Sequence, residues 1–288
     1  MNEWEAIARW RTEAPALVAA LIQEWGLTVD GSAMAGATAS VLPVRTSTGE
    51  AAVLKVVWPH PEAEHEHLAL RAWAGEGTVR LLRADPRRFA LLLERAEPGH
   101  DLAEIDVREA CEVVAALYPR LHRPAIPQLD RLSAHAARWA DSLIELGRGD
   151  QVPRRFADQA RSLARSFADD PATDGTLLHT DLHYANVLAA AREPWLVIDP
   201  KPMSGDPAYE VAPMLWNRWD EVMASRDPRT AILDRMFTLV DGAGLDEDRV
   251  RAWVTVRMMV NATWALTSGA DAAEWLTKSV TLVKAVQR

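Results

Sequence analysis

The chain has 288 residues, 49% hydrophobic and 25% charged, enough to bury one large core or two lobes that share an interface. Its 32 basic and 41 acidic residues give a formal charge of −9, which argues against a nucleic-acid or anionic-membrane partner and suits either a cationic ligand or a plain soluble surface. The single cysteine, Cys111, excludes an internal disulfide and a cysteine zinc cluster, and its apolar surroundings predict a buried helical thiol. No tract looks repetitive or disordered, no long apolar run suggests a membrane span, and residues 1–25 are too charged for a signal peptide, so a cytoplasmic protein is expected.

Trp4, Ile7, Leu17, Ala20, Leu21 and Trp25 recur at helical spacing around Pro15, which predicts an amphipathic, kinked opening helix. Residues 38–46 and 50–58 are β-prone, and Ser47-Thr48-Gly49 between them supplies turn chemistry for an antiparallel hairpin. Just upstream runs Gly31-Ser32-Ala33-Met34-Ala35-Gly36-Ala37-Thr38, where missing Cβ atoms let backbone N–H groups approach phosphate oxygens. It lacks the Lys-Ser/Thr of a Walker loop and a strand follows, so Gly31, Ser32 and Gly36 are phosphate-contact candidates on weak grounds alone.

Lys55 sits among apolar residues on the predicted central strand and needs a compensating anion, unless it snorkels to the surface. The helix predicted over 61–73 offers Glu62 and Glu66, four residues apart on one face, and either can reach it. His65 and His67 on that helix read as surface residues, because positions two apart cannot readily share a metal. Strands over 79–84 and 89–93, joined by Asp85-Pro86-Arg87-Arg88, complete a small antiparallel sheet.

The expected lobes are residues 1–94 and 101–288, with a hinge over 95–100 that includes the break at Pro98-Gly99. Helical patterns cover 107–122, 132–146, 153–168, 209–219, 229–241, 246–267 and 272–286, with short strands at 176–178, 187–189 and 195–198. The fold class expected is α+β, with a ligand cleft at 94–100.

The densest chemistry is His179-Thr180-Asp181-Leu182-His183-Tyr184-Ala185-Asn186, followed by Ile198-Asp199-Pro200. His-x-Asp-x-His invites a zinc or iron hydrolase, but His183 is the last histidine and no second ligand cluster follows. The alternative takes Asp181 as the group that accepts a hydroxyl proton and Asn186 and Asp199 as oxygen ligands for Mg2+ bridging the phosphates of ATP. Lys55, held by Glu62 or Glu66, would then grip the nearer phosphates under the glycine loop, with the backbone of Glu94 and Ala96 bonding adenine.

These motifs, in this order and spacing over nearly the whole chain, resemble the aminoglycoside phosphotransferases, which share the protein-kinase two-lobe fold. Val-Leu-Lys-Val, Leu-Leu-Leu-Glu-Arg, Leu-His-Thr-Asp-Leu-His-Tyr-Ala-Asn-Val-Leu and Ile-Asp-Pro-Lys-Pro-Met-Ser-Gly-Asp-Pro-Ala-Tyr-Glu look like the streptomycin 6-phosphotransferase and hydroxyurea phosphotransferase branch. The resemblance implies Asp181 as base, Asn186 and Asp199 as magnesium ligands, Lys55 with Glu66 as the phosphate-anchoring pair, ATP as donor and a small cationic acceptor. Thr180 stands where relatives often have glycine, and Pro200 stiffens a metal loop that elsewhere contains glycine.

A catalytically silent nucleotide-binding module is disfavoured because Lys55, Asp181, Asn186 and Asp199 are all present; a kinase of hydroxyurea, a sugar or another metabolite stays open. His179 is expected to brace the loop, Asp206 to be a buried structural aspartate, and Trp216, Trp219, Trp253 and Trp264 to be core. Glu210, Asp220 and Glu221 are offered as carboxylates for the guanidinium groups of streptomycin.

Overall fold

A computed structural model describes residues 3–36, 38–268 and 271–287, which form two compact units. The first holds the chain through His100 together with Leu188–Lys201; the second holds Asp101–Val187 and the chain from Pro202 onward. Ala37 of the glycine loop and the side chain of Trp4 lie outside the described residues.

The first unit opens with helix α1 (Glu3–Trp25), which runs unbroken through Pro15 where the sequence predicts a kink. Strands β1 (Thr28–Val29), β2 (Met34–Ala35), β3 (Ala39–Arg45) and β4 (Ala51–Val57) follow, then α2 (Glu66–Trp73), β5 (Leu81–Asp85) and β6 (Ala90–Glu94). The sheet order is β1-β3-β4-β6-β5, with β2 also on β3 and every ladder antiparallel. Alternation on β4 sends Ala52, Leu54 and Val56 into one apolar cluster with Leu21 and Trp25 of α1. Lys55, one residue out of phase, therefore faces the other side of the sheet and meets α2, whose Leu70 and Trp73 are buried.

The second unit contributes α3 (Val107–Leu121), β7 (Arg123–Pro124), α4 (Leu132–Arg148), α5 (Arg154–Asp169) and β8 (Thr176–Leu178). The hairpin β9 (Val187–Ala189) and β10 (Trp195–Val197) follows in the chain but from Leu188 on belongs to the first unit; the second unit resumes with β11 (Met203–Gly205), α6 (Ala212–Trp216), α7 (Trp219–Ala224), α8 (Pro228–Ala243), α9 (Glu247–Ser268) and α10 (Ala272–Val286). In this helical unit α4 packs on α5, α3 on α8 and α9 on α10, and β8 lies between β7 and β11.

Two expectations change. Residues 188–201, assigned from sequence to the helical lobe, belong with the sheet unit. The backbone explains it: Val197 N–H donates to Gly77 O at 2.9 Å, Val79 N–H to Val197 O at 3.1 Å and Ala189 N–H to His100 O at 2.8 Å. The helix expected over 209–219 is broken into a tight turn (Pro207–Val211), α6 and α7, because Arg218 between them adopts a left-handed backbone with φ +51°.

Candidate functional site

In the sheet unit, Lys55 Nζ donates to Glu66 Oε1 at 2.6 Å, to Glu66 Oε2 at 2.8 Å and to Asp199 Oδ1 at 2.5 Å. Lys55 and Glu66 are buried, whereas half of the Asp199 side chain stays exposed. Burial pulls the Lys55 pKa down, but the charges of Glu66 and Asp199 outweigh it and raise the value above the ordinary lysine range. The site thus carries a permanent buried cation, with Asp199 as its reachable anionic neighbour. Of the two glutamates left open by spacing, the structure brings Glu66 to Lys55; Glu62 pairs with Lys201 at 3.6 Å instead. Asp199 itself has φ +56°, a strained backbone that sets its carboxylate on Lys55 just before Pro200.

The glycine stretch folds as a hairpin, with Met34 opposite Val41 and Ala35 opposite Ser40. Gly31 has φ +156°, and a Cβ there would sit 3.2 Å from Pro43. Gly31, Ser32 and Gly36 are exposed, but Gly36 N–H already donates to Ala39 O at 2.8 Å, so that glycine shapes the turn with its amide engaged. At the end of β6 the Glu94 carboxylate is gripped by Arg192, Nε to Oε1 and Nη2 to Oε2, each at 2.8 Å. Burial would raise the Glu94 pKa, and Arg192 with the Arg80 amide reverses this and holds it low. The Glu94 side chain is thus engaged, and its own N–H donates to Arg80 O at 2.9 Å. Ala96, two residues on, is buried in the strand-to-helix connection, and Glu97 N–H anchors that connection on Ala189 O at 2.8 Å.

In the helical unit, the loop after β8 carries the other candidates. His179 is fully buried, and its Nδ1 accepts from Asp181 N–H at 3.2 Å, so the imidazole braces the loop from within. Asn186 Nδ2 closes the loop on the Asp181 carbonyl at 2.8 Å. Asp181 itself is half-buried and Asn186 buried. Thr180 takes φ +63°, the left-handed conformation that glycine adopts freely, and it is held there from both sides. Glu210 Oε1 accepts from His179 N–H at 2.5 Å and from Thr180 N–H at 2.6 Å, and Arg257 Nη2 donates to Thr180 O at 2.9 Å.

Glu210 corrects an expectation. It was offered to a cationic substrate, yet it is fully buried and its second oxygen is bound by His122 Nε2 at 2.8 Å. Burial would raise its pKa; His122, the charge of His179 and the Thr180 amide outweigh that and keep it below the usual carboxylate value. Glu210 and Arg257 are the loop clamps that sequence reasoning missed, because their separation from Thr180 along the chain hides the contact. Glu221 pairs with Arg218 at 2.6 Å, while Asp220 is exposed. Asp206 is a buried structural aspartate, bound by Arg249 and, at 2.6 Å, by Trp253 Nε1. Trp253 is core, Trp216 and Trp219 are half-buried, and Trp264, in the last turns of α9, is 54% exposed, against the expectation of burial.

Among the described residues no group of three or more histidine, cysteine, aspartate or glutamate side chains is placed to hold a metal ion. No helix among them is long and apolar enough to cross a membrane.

Comparison with known proteins gives the same direction. The model of the aminoglycoside/hydroxyurea antibiotic resistance kinase family matches residues 24–269. A streptomycin 6-kinase of Streptomyces glaucescens is 37% identical over 96% of this chain and 91% of its own length. A hydroxyurea phosphotransferase of Kitasatospora aureofaciens is 42% identical over 88% of this chain and 74% of its own. In fold, the chain is similar to a thermostable mutant of aminoglycoside phosphotransferase APH(4)-Ia solved with ADP and hygromycin B, with a TM-score of 0.62, 18% identity, and coverage of 93% and 97% of the two chains. The protein is therefore an α+β, kinase-like enzyme, an ATP-dependent phosphotransferase of small molecules that belongs to the aminoglycoside/hydroxyurea antibiotic resistance kinase family.

Proposed function

We propose that this chain phosphorylates streptomycin at the 6-hydroxyl, the position named for its relative of 37% identity, and so protects against that antibiotic. The observation that carries the reading is the loop around Asp181, a half-buried carboxylate on a backbone locked by His179, Asn186 and Glu210. A carboxylate fixed in this way can orient an acceptor hydroxyl and take its proton as the new O–P bond forms and ADP leaves. In this reading Lys55, fixed by Glu66, binds the nearer phosphates, the hairpin from Gly31 through Ser32 to Gly36 covers them, and the backbone of Glu94 and Ala96 receives adenine.

In this reading Asn186 and Asp199 would hold magnesium, since Asn186 Oδ1 and the half-exposed Asp199 carboxylate are each hard oxygens of the kind that ion prefers. When bound it would neutralise phosphate charge; the residues present supply the orientation and the base.

The formal charge of −9 favours a cationic acceptor over a neutral one. Hydroxyurea is the second reading, favoured by the 42% identity of the hydroxyurea phosphotransferase. A parallel assay of ATP consumption with streptomycin, other aminoglycosides, hydroxyurea and simple sugars decides between them. The expected result is a kcat/KM for streptomycin well above the rest, with phosphorus–proton NMR correlation locating the phosphate on the 6-hydroxyl. Indifference to every aminoglycoside would overturn the streptomycin reading, and turnover of hydroxyurea alone would establish the second.

A further inference from the structure

Residues 214–219 of the helical unit, where α6 gives way to α7, are tied to the loop of Asp181 from two sides. Tyr184 Oη donates to Met214 O at 3.0 Å, and the Arg218 guanidinium lies 5.1 Å from the centre of the Tyr184 ring. On the other side Arg257 Nη2 donates at 2.9 Å to Thr180 O, in the peptide that joins Thr180 to Asp181, while its guanidinium lies 4.8 Å from the centre of the Trp216 ring. A single side chain therefore bridges the Trp216 indole and the backbone that carries Asp181. Between α6 and α7, Arg218 keeps its left-handed φ of +51°, a conformation that a non-glycine residue holds only where its surroundings impose it and that gathers at functional sites.

Trp216 belongs to a group of three indoles. Its ring meets that of Trp275 on α10 edge to face, with centroids 6.2 Å apart. Lys278 Nζ lies 4.8 Å from the Trp275 centroid and 5.6 Å from that of Trp219, and this lysine is buried. Arg257 in turn packs 4.0 Å from the centre of the Tyr209 ring, so the protein's own cations hold the aromatic rings in fixed positions. Trp216, Trp219 and Trp275 nevertheless each keep part of their surface in water. Covering apolar area of this kind is favourable, and pre-positioned indoles lose little freedom when a ligand does so. With Lys278 and Arg257 already against the rings, the open surface suits the uncharged C–H face of a saturated ring better than a further cation.

We propose that Trp216, Trp219 and Trp275 form an acceptor wall, on which a saturated ring of a glycoside such as streptomycin stacks while its hydroxyl is presented to Asp181. The inference rests on the streptomycin reading above. Hydroxyurea has no ring to lay against the wall, so these three residues select acceptors by shape, and Arg257 joins the wall to the loop that holds the base.

Trp275 tests this best, because it stands on α10 away from the catalytic loop. In the full chain, Trp275→Ala should raise the KM for streptomycin by about tenfold, the loss of one aromatic contact with its buried area, without a matching rise in the KM for ATP. Trp275→Phe should keep most of the wild-type affinity, and calorimetric binding of streptomycin in the presence of ADP and magnesium should weaken in parallel with the KM. An unchanged KM for streptomycin, or equal rises for streptomycin and ATP, overturns the proposal. Should Trp275→Ala fail to fold, indole N–H signals of the wild-type chain carry the test. Streptomycin should shift those of Trp216 and Trp275, assigned by single replacements with phenylalanine, and leave that of Trp73, buried in the sheet unit. Movement of neither signal overturns the proposal too. A wild-type chain that phosphorylates no aminoglycoside would instead overturn the streptomycin reading itself.

Discussion

Two buried carboxylates, Glu66 and Glu210, do different work through different partners. Glu210 acts on the loop that carries Asp181, accepting the amides of His179 and Thr180 at 2.5 and 2.6 Å and so holding Thr180 at φ +63°. Glu210→Gln replaces a charged acceptor by a neutral one at a fully buried site, so a loss of about 1–3 kcal/mol in unfolding free energy is expected, with kcat falling more than nucleotide affinity. Because its folded pKa is depressed below the unfolded value near 4.5, Glu210 stabilises the protein fully above that value. The contribution is lost as pH falls from there through the folded pKa. Thermal melting on acidification should therefore show a steeper drop for the wild type than for Glu210→Gln.

Glu66 is paired with Lys55, and Lys55→Met leaves it buried with its counter-charge removed. The expected cost is about 3–5 kcal/mol, measured by denaturant unfolding. Lys55→Met combined with Glu66→Leu should regain much of that stability while phosphoryl transfer stays lost, which separates the pair's folding role from its catalytic one.

At the level of elements, the hairpin of β2 and β3 depends on a backbone that only glycine takes without strain. Gly31 has φ +156° with Pro43 against the position of a Cβ, so Gly31→Ala should destabilise the sheet unit by roughly 1–3 kcal/mol, read as a lower denaturant midpoint.

The long elements were legible because period and turn chemistry agreed. Residues 51–57 alternate, Ser47-Thr48-Gly49 turns, and α3, α4, α5, α8, α9 and α10 follow apolar stripes. Cys111 read as a buried thiol and is one, with burial pushing its pKa up to about 11. What escaped was short or non-local. Strands β7 and β11, of two and three residues, carry no readable alternation, and pairing with β8 is what makes them strands. The break at Arg218 depends on its Nη1 reaching the Leu102 and Ile105 carbonyls at 3.2 and 2.9 Å, contacts that local propensity cannot announce. At the site, the attraction of Lys55 for a helix glutamate was visible from a cation on an apolar strand, but the choice of Glu66 over Glu62 needed the family resemblance. The clamp by Glu210 was invisible because a glutamate near a cleft reads equally well as a substrate ligand.

For the whole molecule, an excess of nine negative charges and a cationic acceptor together make an ionic-strength effect. The KM for streptomycin should rise as salt is added, by several-fold between low and physiological ionic strength, and hydroxyurea, being neutral, should show no such rise. Parallel curves for the two would argue that charge has no part in acceptor choice.

The central claim is that the carboxylate of Asp181 orients and deprotonates the acceptor hydroxyl. Single-turnover transfer from ATP to streptomycin, measured for the wild type and Asp181→Asn beside their ADP affinities, tests it most directly. The account predicts a rate lower by roughly 10² to 10⁴ in the variant with ADP binding and melting temperature preserved; transfer at near the wild-type rate by a folded Asp181→Asn chain would contradict it.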